Sequence, residues 1–151
     1  MRHAKRFLLP LVCLVACFGS LSAQSSRTFR TRLSPVPIDV AMQSTIAGTG
    51  TVSAVLSGSK LSITGSFEGL KSPATTAQVH RSPVRGVRGP VAFDLVVAKT
   101  DAASGTLTGT VDLTPVQVAD LEKGRLYVQV HSEKAPDGNL WGWLMPQENK
   151  R

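Results

Sequence analysis

Cysteine is absent beyond residue 17. The chain has two, Cys13 and Cys17, both in an N-terminal segment that reads as a leader. The remainder therefore has no disulfide framework and no thiol nucleophile, and its hydrophobic core must hold it unaided. Histidine is nearly as sparse: only His80 and His131 lie outside the extreme N-terminus. Aromatics are few, with one Tyr, two Trp and five Phe. The apolar stretch Phe7 to Phe18 is 12 residues long, too short for a bilayer, which takes roughly 17–25. There is no Gly-x-Ser-x-Gly nucleophile elbow. There is also no nucleic-acid motif and no basic run interleaved with aromatics, which argues against a nucleic-acid partner.

What is present begins with export. Arg2, Lys5 and Arg6 precede the apolar stretch, Gly19-Ser20 break it, and Leu21-Ser22-Ala23 supply small residues for cleavage. This is the three-part layout of a signal peptide over residues 1–23. Leu14-Val15-Ala16-Cys17 offers an alternative, a lipoprotein box with Cys17 as the lipidated residue. Cleavage after Ala23 fits better, since the helix break and the small residues lie beyond the apolar run. A disulfide-free exported chain points to the bacterial envelope or the extracellular space. Beyond Ala23 there are 128 residues, enough for one domain with a sizeable core. Fourteen basic and ten acidic residues remain there, a net charge of +4. Arg27, Arg30 and Arg32 supply much of the excess, and residues 24–32 read as a flexible basic arm. The tail, residues 147–151, is polar and expected to fray.

The body is rich in Val, Thr, Ser and Gly and alternates with period two. Val52, Ala54 and Leu56 share one phase, as do Leu61, Ile63 and Phe67, then Leu107, Val111 and Leu113, then Leu126, Val128 and Val130. Such alternation marks strands buried on one face, and turn signals at 57–60, 71–73, 102–105 and 135–138 separate them. The expectation is an all-β, Ig-like or Greek-key β-sandwich, with a Greek-key barrel as the alternative. One helix interrupts it near 115–122. Thr114-Pro115-Val116-Gln117 is a capping box with proline at the first helical position, and Gly124 closes the helix.

Two strand ends share a pattern. Ala77-Gln78-Val79-His80 leads into a loop with Gly86, Gly89 and Pro90. Leu126-Tyr127-Val128-Gln129-Val130-His131 leads into Gly138-Asn139-Leu140-Trp141-Gly142. With the helix between them, in this order and spacing, residues 33–146 resemble the CHRD domain, the module named after chordin and common in bacterial secreted proteins. The resemblance implies a fold and an exported setting, and no transferable activity. The chain departs from the family at two places. The family's Gly-Glu-Ile-Arg-Gly reads Gly138-Asn139-Leu140-Trp141-Gly142 here, and Arg81-Ser82-Pro83 stand where glycines usually follow the first histidine. Gly86, Gly89, Pro90, Gly138 and Gly142 are expected to shape the two loops.

Three chemistries compete for these residues. His80 and His131 fall out of phase with the apolar residues of their strands, so their imidazoles can meet on the outer face. Two histidines can help bind Cu or Zn, with Asp94 or Asp137 as a third ligand, but a stable site usually takes three or four ligands. The architecture is similar to copper-zinc superoxide dismutase, a Greek-key barrel, whose larger ligand cluster two histidines cannot supply. The competing structural role is hydrogen bonding of each imidazole to loop backbone. Hydrolysis is not supported, because His131 and Ser132 point to opposite faces. The third chemistry is an aromatic face. Trp141 and Trp143 alternate with Leu140 and Leu144, and together with Tyr127 they can stack a sugar or a protein, or else cap a small second cluster. The reading is therefore a non-enzymatic binding or scaffolding module with no cofactor. Its partner would be a protein or polysaccharide met through His80, His131, Tyr127, Trp141 and Trp143. The alternative is a metal-binding envelope protein using the two histidines.

Overall fold

The computed structural model describes residues 25–101 and 103–148. The leader expected over 1–23, Cys17 with it, lies outside the described residues. Nine strands and one α-helix follow in order: β1 (Ser26–Pro35), β2 (Thr49–Ser57), β3 (Lys60–Glu68), β4 (Ala74–Arg81), β5 (Val91–Lys99), β6 (Gly105–Asp112), α1 (Pro115–Glu122), β7 (Leu126–Ser132), β8 (Ala135–Trp143) and β9 (Met145–Pro146). All pairings are antiparallel, with neighbour order β1-β2-β3-β6-β5-β4-β7-β8. β1 closes the ring, pairing with β2 over Ser26 to Leu33 and with β8 at Ser34↔Trp141 and Pro35↔Leu140.

The molecule is therefore a closed eight-stranded antiparallel barrel in place of the expected Ig-like sandwich, and it fits the barrel alternative. Among the described residues, closure gives each of β1 to β8 a neighbour on both sides, whereas two stacked sheets would leave four free edges. β1 decides it. The segment expected as a flexible basic arm is a full strand, because Phe29 and Leu33 are 1% and 0% exposed inside the barrel while Arg30 and Arg32 point out. Its alternation is that of any half-buried strand, with arginine on the wet side. The short β9 pairs Met145 with Arg30, and Gln147 N donates to Thr28 O at 2.8 Å, so the tail begins anchored.

The barrel interior is the core. The residues expected inward from period two are there, among them Val52, Ala54, Leu56, Leu61, Ile63, Phe67, Leu107, Leu126, Val128 and Val130. The helix also forms as read. Thr114 accepts from Gln117 N, and the Gln117 side chain accepts from Thr114 N. Leu121 enters the core at 0% exposed. Asp120 beside it is 4% exposed and takes Arg81 Nε at 2.5 Å and Arg125 Nη1 at 3.4 Å. This carboxylate ties α1 to β4 and to the start of β7. Because both guanidinium groups are partly in water, the pairs are screened, and the dominant loss on mutation is the buried acceptor. Asp120→Asn is expected to lower unfolding free energy by about 1–3 kcal/mol, read by urea denaturation. A change under a few tenths would show that the pair is incidental. Among the described residues, no helix is long and apolar enough to cross a membrane.

Candidate functional site

The site is built on the outer face of β4, β7 and β8. Ala77 and Val79 of β4 and Val128 and Val130 of β7 face inward. Strand alternation then sends His80, Tyr127, Gln129 and His131 outward. Register sets their neighbours: His80 lies opposite Tyr127, Tyr127 opposite Trp143, and Gln129 opposite Trp141. Leu140 and Leu144 are fully buried in the core, so both tryptophans share the outer face with Tyr127, as the sequence pattern predicts.

The rings form a continuous layer. His80 stacks on Tyr127 at 4.9 Å and 15°. Tyr127 meets Trp143 at 4.9 Å and Trp141 edge-on at 6.0 Å, and the two indoles are 4.6 Å apart. Such offset and edge contacts are the favoured aromatic geometries. Tyr127 is only 1% exposed. It supports the layer from below, under His80 and the two indoles. Trp141 also packs on a small second cluster of Val36, Ile46 and Ala135, so it has a structural share as well.

Loop 82–90 covers this layer. Gly89 N donates to Tyr127 Oη at 3.2 Å, and Arg81 N donates to Pro90 O at 2.9 Å. The Ser82 hydroxyl, 2% exposed, sits between the carbonyls of Val84 and Val87. Arg88 Nη1 donates to Asp137 O at 2.7 Å, which joins the first loop to the second, and its guanidinium lies 5.8 Å from the Trp141 ring centroid. Asp137 O also accepts from Gln129 Nε2 at 2.8 Å, with Gly138 pressed against that amide. Gly142 backs onto Thr31 and Arg32 at the β1–β8 seam, while Gly86 faces open space at the loop tip.

The two imidazoles do meet, with centroids 6.2 Å apart. His80 Nδ1 lies 2.9 Å from Gly89 O, and His131 Nδ1 lies 2.7 Å from Pro136 O. The expected backbone-tying role of each histidine is therefore present. Burial pulls the His80 pKa below its ordinary value. The Gly89 carbonyl opposes this, while His131 and Arg88 push the same way as burial. Both Nε2 atoms are buried and without a hydrogen-bond partner. Neither carboxylate considered as a third ligand joins them. The Asp94 side chain accepts from Gln78 Nε2 at 2.8 Å, and Asp137 serves the loops through its backbone carbonyl. Among the described residues, no group of three or more His, Cys, Asp or Glu side chains is placed to hold a metal ion.

Beside the rings, a groove of about 370 Å³ opens along the β1–β8 seam. Arg30, Arg32 and Arg85 line it together with Trp141 and Trp143, and no acidic residue does. A larger cavity of about 670 Å³ lies between β1, β2, β3 and β6, but it holds Glu68 and only one aromatic, Phe67. The smaller groove is the better candidate because positive charge and two half-buried indoles converge there. Sequence reading missed Arg85, Arg88 and Asp120. Their signal was faint, since arginine in a loop and aspartate in a helix are ordinary residues until the fold gives them partners.

Fold and site thus define a Greek-key barrel module with an aromatic and histidine layer clamped under one loop. A family model for the CHRD domain matches residues 29–144, and the chain belongs to that family, whose domains are in general non-catalytic modules. The match starts inside β1, four residues before the expected boundary at 33, in keeping with the structural role of that strand. No curated protein and no solved structure matches the chain.

Proposed function

We propose that this CHRD domain is an exported, non-enzymatic binding module whose ligand is an acidic polysaccharide of the cell envelope or its surroundings. The observation that carries the reading is the β1–β8 groove, where three arginines flank two tryptophans with no carboxylate among the lining residues. Guanidinium groups match carboxylates or sulfates in a two-pronged geometry, and indole faces stack on sugar rings. A neutral glycan would leave the arginines unused, and Trp with Arg is also the pair that anchors protein interfaces. The leader at residues 1–23 supports export, with lipidation at Cys17 as the alternative. Mass spectrometry of the mature N-terminus distinguishes the two.

The test is affinity electrophoresis in gels containing polygalacturonate or neutral dextran. The protein is expected to be retarded by the acidic polymer alone, and less so as salt rises, because exposed charge pairs are screened. The variant Arg30→Ser/Arg32→Ser is expected to lose about tenfold or more in affinity at an unchanged melting temperature, since both side chains are exposed. Trp143→Ala is expected to weaken binding comparably. Equal retardation of the arginine variant and the parent would reject the groove. Capture of a protein with no response to either glycan would reject the ligand class.

A further inference from the structure

The two histidines carry a second inference, independent of the groove. A backbone carbonyl only accepts, so the nitrogen beside it must bring the hydrogen. Nδ1 of His80 faces Gly89 O at 2.9 Å and Nδ1 of His131 faces Pro136 O at 2.7 Å. Each neutral ring therefore keeps its lone pair on Nε2, the tautomer that a second-shell carbonyl imposes on a metal-ligating histidine. Both lone pairs are buried and have no partner, on a histidine only 8% exposed and on its half-buried neighbour. Buried polar atoms are seldom left this way.

The ring planes are tilted by 34°, and the centroid separation is close to that of two imidazoles sharing one ion. Two metal–imidazole bonds of about 2.0 Å in line, plus a ring radius of about 1.2 Å on each side, span about 6.4 Å between centroids, and the rings stand 6.2 Å apart. The donor set then selects the ion. Zinc takes four ligands, and Cu(II) takes a tetragonal set. Among the described residues no carboxylate or thiol completes either. Arg88, whose charge is felt at His80, penalises a dication more than a monocation. A monovalent d10 ion is satisfied by two neutral nitrogens in line. The stack on Tyr127 and the loop clamp shield His80, and the Nε2 atoms of both rings are buried.

We propose that His80 and His131 bind one Cu(I) ion through their Nε2 atoms. The experiment uses the full chain without a His-tag, carrying Cys13→Ser and Cys17→Ser because thiolates would compete for copper. Anaerobic Cu(I) is titrated against a chromophoric Cu(I) chelator. The parent is expected to withdraw one equivalent. His80→Asn leaves an amide donor for the Gly89 carbonyl but has no Nε2, and it is expected to withdraw none. His131→Asn, at the more accessible strand end, is expected to do the same, and X-ray absorption of the loaded parent is expected to show two nitrogen neighbours. A parent that takes no copper, or variants that keep the full equivalent, would overturn the assignment. The parent titration decides even if a variant does not fold.

Discussion

Gly89→Ala is expected to cost about 2–4 kcal/mol of stability, through overpacking and the hydrogen bonds it displaces. A methyl group there would overlap the Arg81 carbonyl oxygen and crowd Ser82 Cα, which are backbone atoms with no rotamer to change. The loop would have to lift. In doing so it would release Gly89 N from Tyr127 Oη, His80 Nδ1 from Gly89 O, and Arg81 N from Pro90 O. Gly86 in the same loop is the control. It has positive φ, +92°, but an added Cβ there meets nothing within 4 Å. Gly86→Ala is expected to cost only about 1 kcal/mol of backbone strain. Urea denaturation of the two variants in parallel reads the difference. Equal and small losses would mean that loop 82–90 rests on the barrel without clamping it.

Tyr127→Ala should be as damaging as a deletion inside the barrel, about 3–5 kcal/mol. An outward-facing strand residue normally costs little to truncate. Here the ring is 1% exposed, touches His80, Trp141 and Trp143, and bears the loop through its hydroxyl. Leu140→Ala, at 0% exposed inside the barrel, gives the scale, with an expected loss of about 2–5 kcal/mol. Tyr127→Phe keeps the packing and loses the hydroxyl contacts, for about 1 kcal/mol. Near-UV circular dichroism should lose its aromatic signal in Tyr127→Ala while the far-UV strand signal persists. A Tyr127→Ala variant within 1 kcal/mol of the parent would show that the outer layer is not a second core.

The strands and their inward residues were legible in the sequence because each strand has one wet and one dry face, and period two reports that directly. The helix was legible because Thr114, Pro115 and Gln117 form a local capping device that needs no tertiary partner. The common face of Trp141, Trp143 and Tyr127 followed from the same phase argument. Barrel closure did not follow, since sandwich and barrel demand the same alternation and differ only in what pairs with β1. That strand was obscured by Arg27, Arg30 and Arg32, whose charge outweighed the alternation of Phe29 and Leu33 beside them. β5 left no clean period, because Val91 and Val96 are 49% and 66% exposed while Leu95 is buried. In the site, strand phase brought His80 and His131 to one face. The length of loop 82–90 and the reach of Arg88 decided how they are held, and neither is a local property of the residues that carry it.

The two readings of this rim are compatible because they use different atoms. The groove uses the half-buried rings of Trp141 and Trp143 with arginines from β1 and the loop, while the imidazole pair would bind through its buried Nε2 atoms. One measurement addresses the central claim that the rim is a binding surface for an acidic polysaccharide. Tryptophan fluorescence of the parent is titrated with a uronate oligosaccharide at low salt, then with a neutral oligosaccharide of equal length. Both tryptophans lie in the groove, so the account predicts a saturable change with the uronate, none with the neutral sugar, and reversal on adding salt. An unchanged spectrum with the uronate, or an equal response to both sugars, would contradict it.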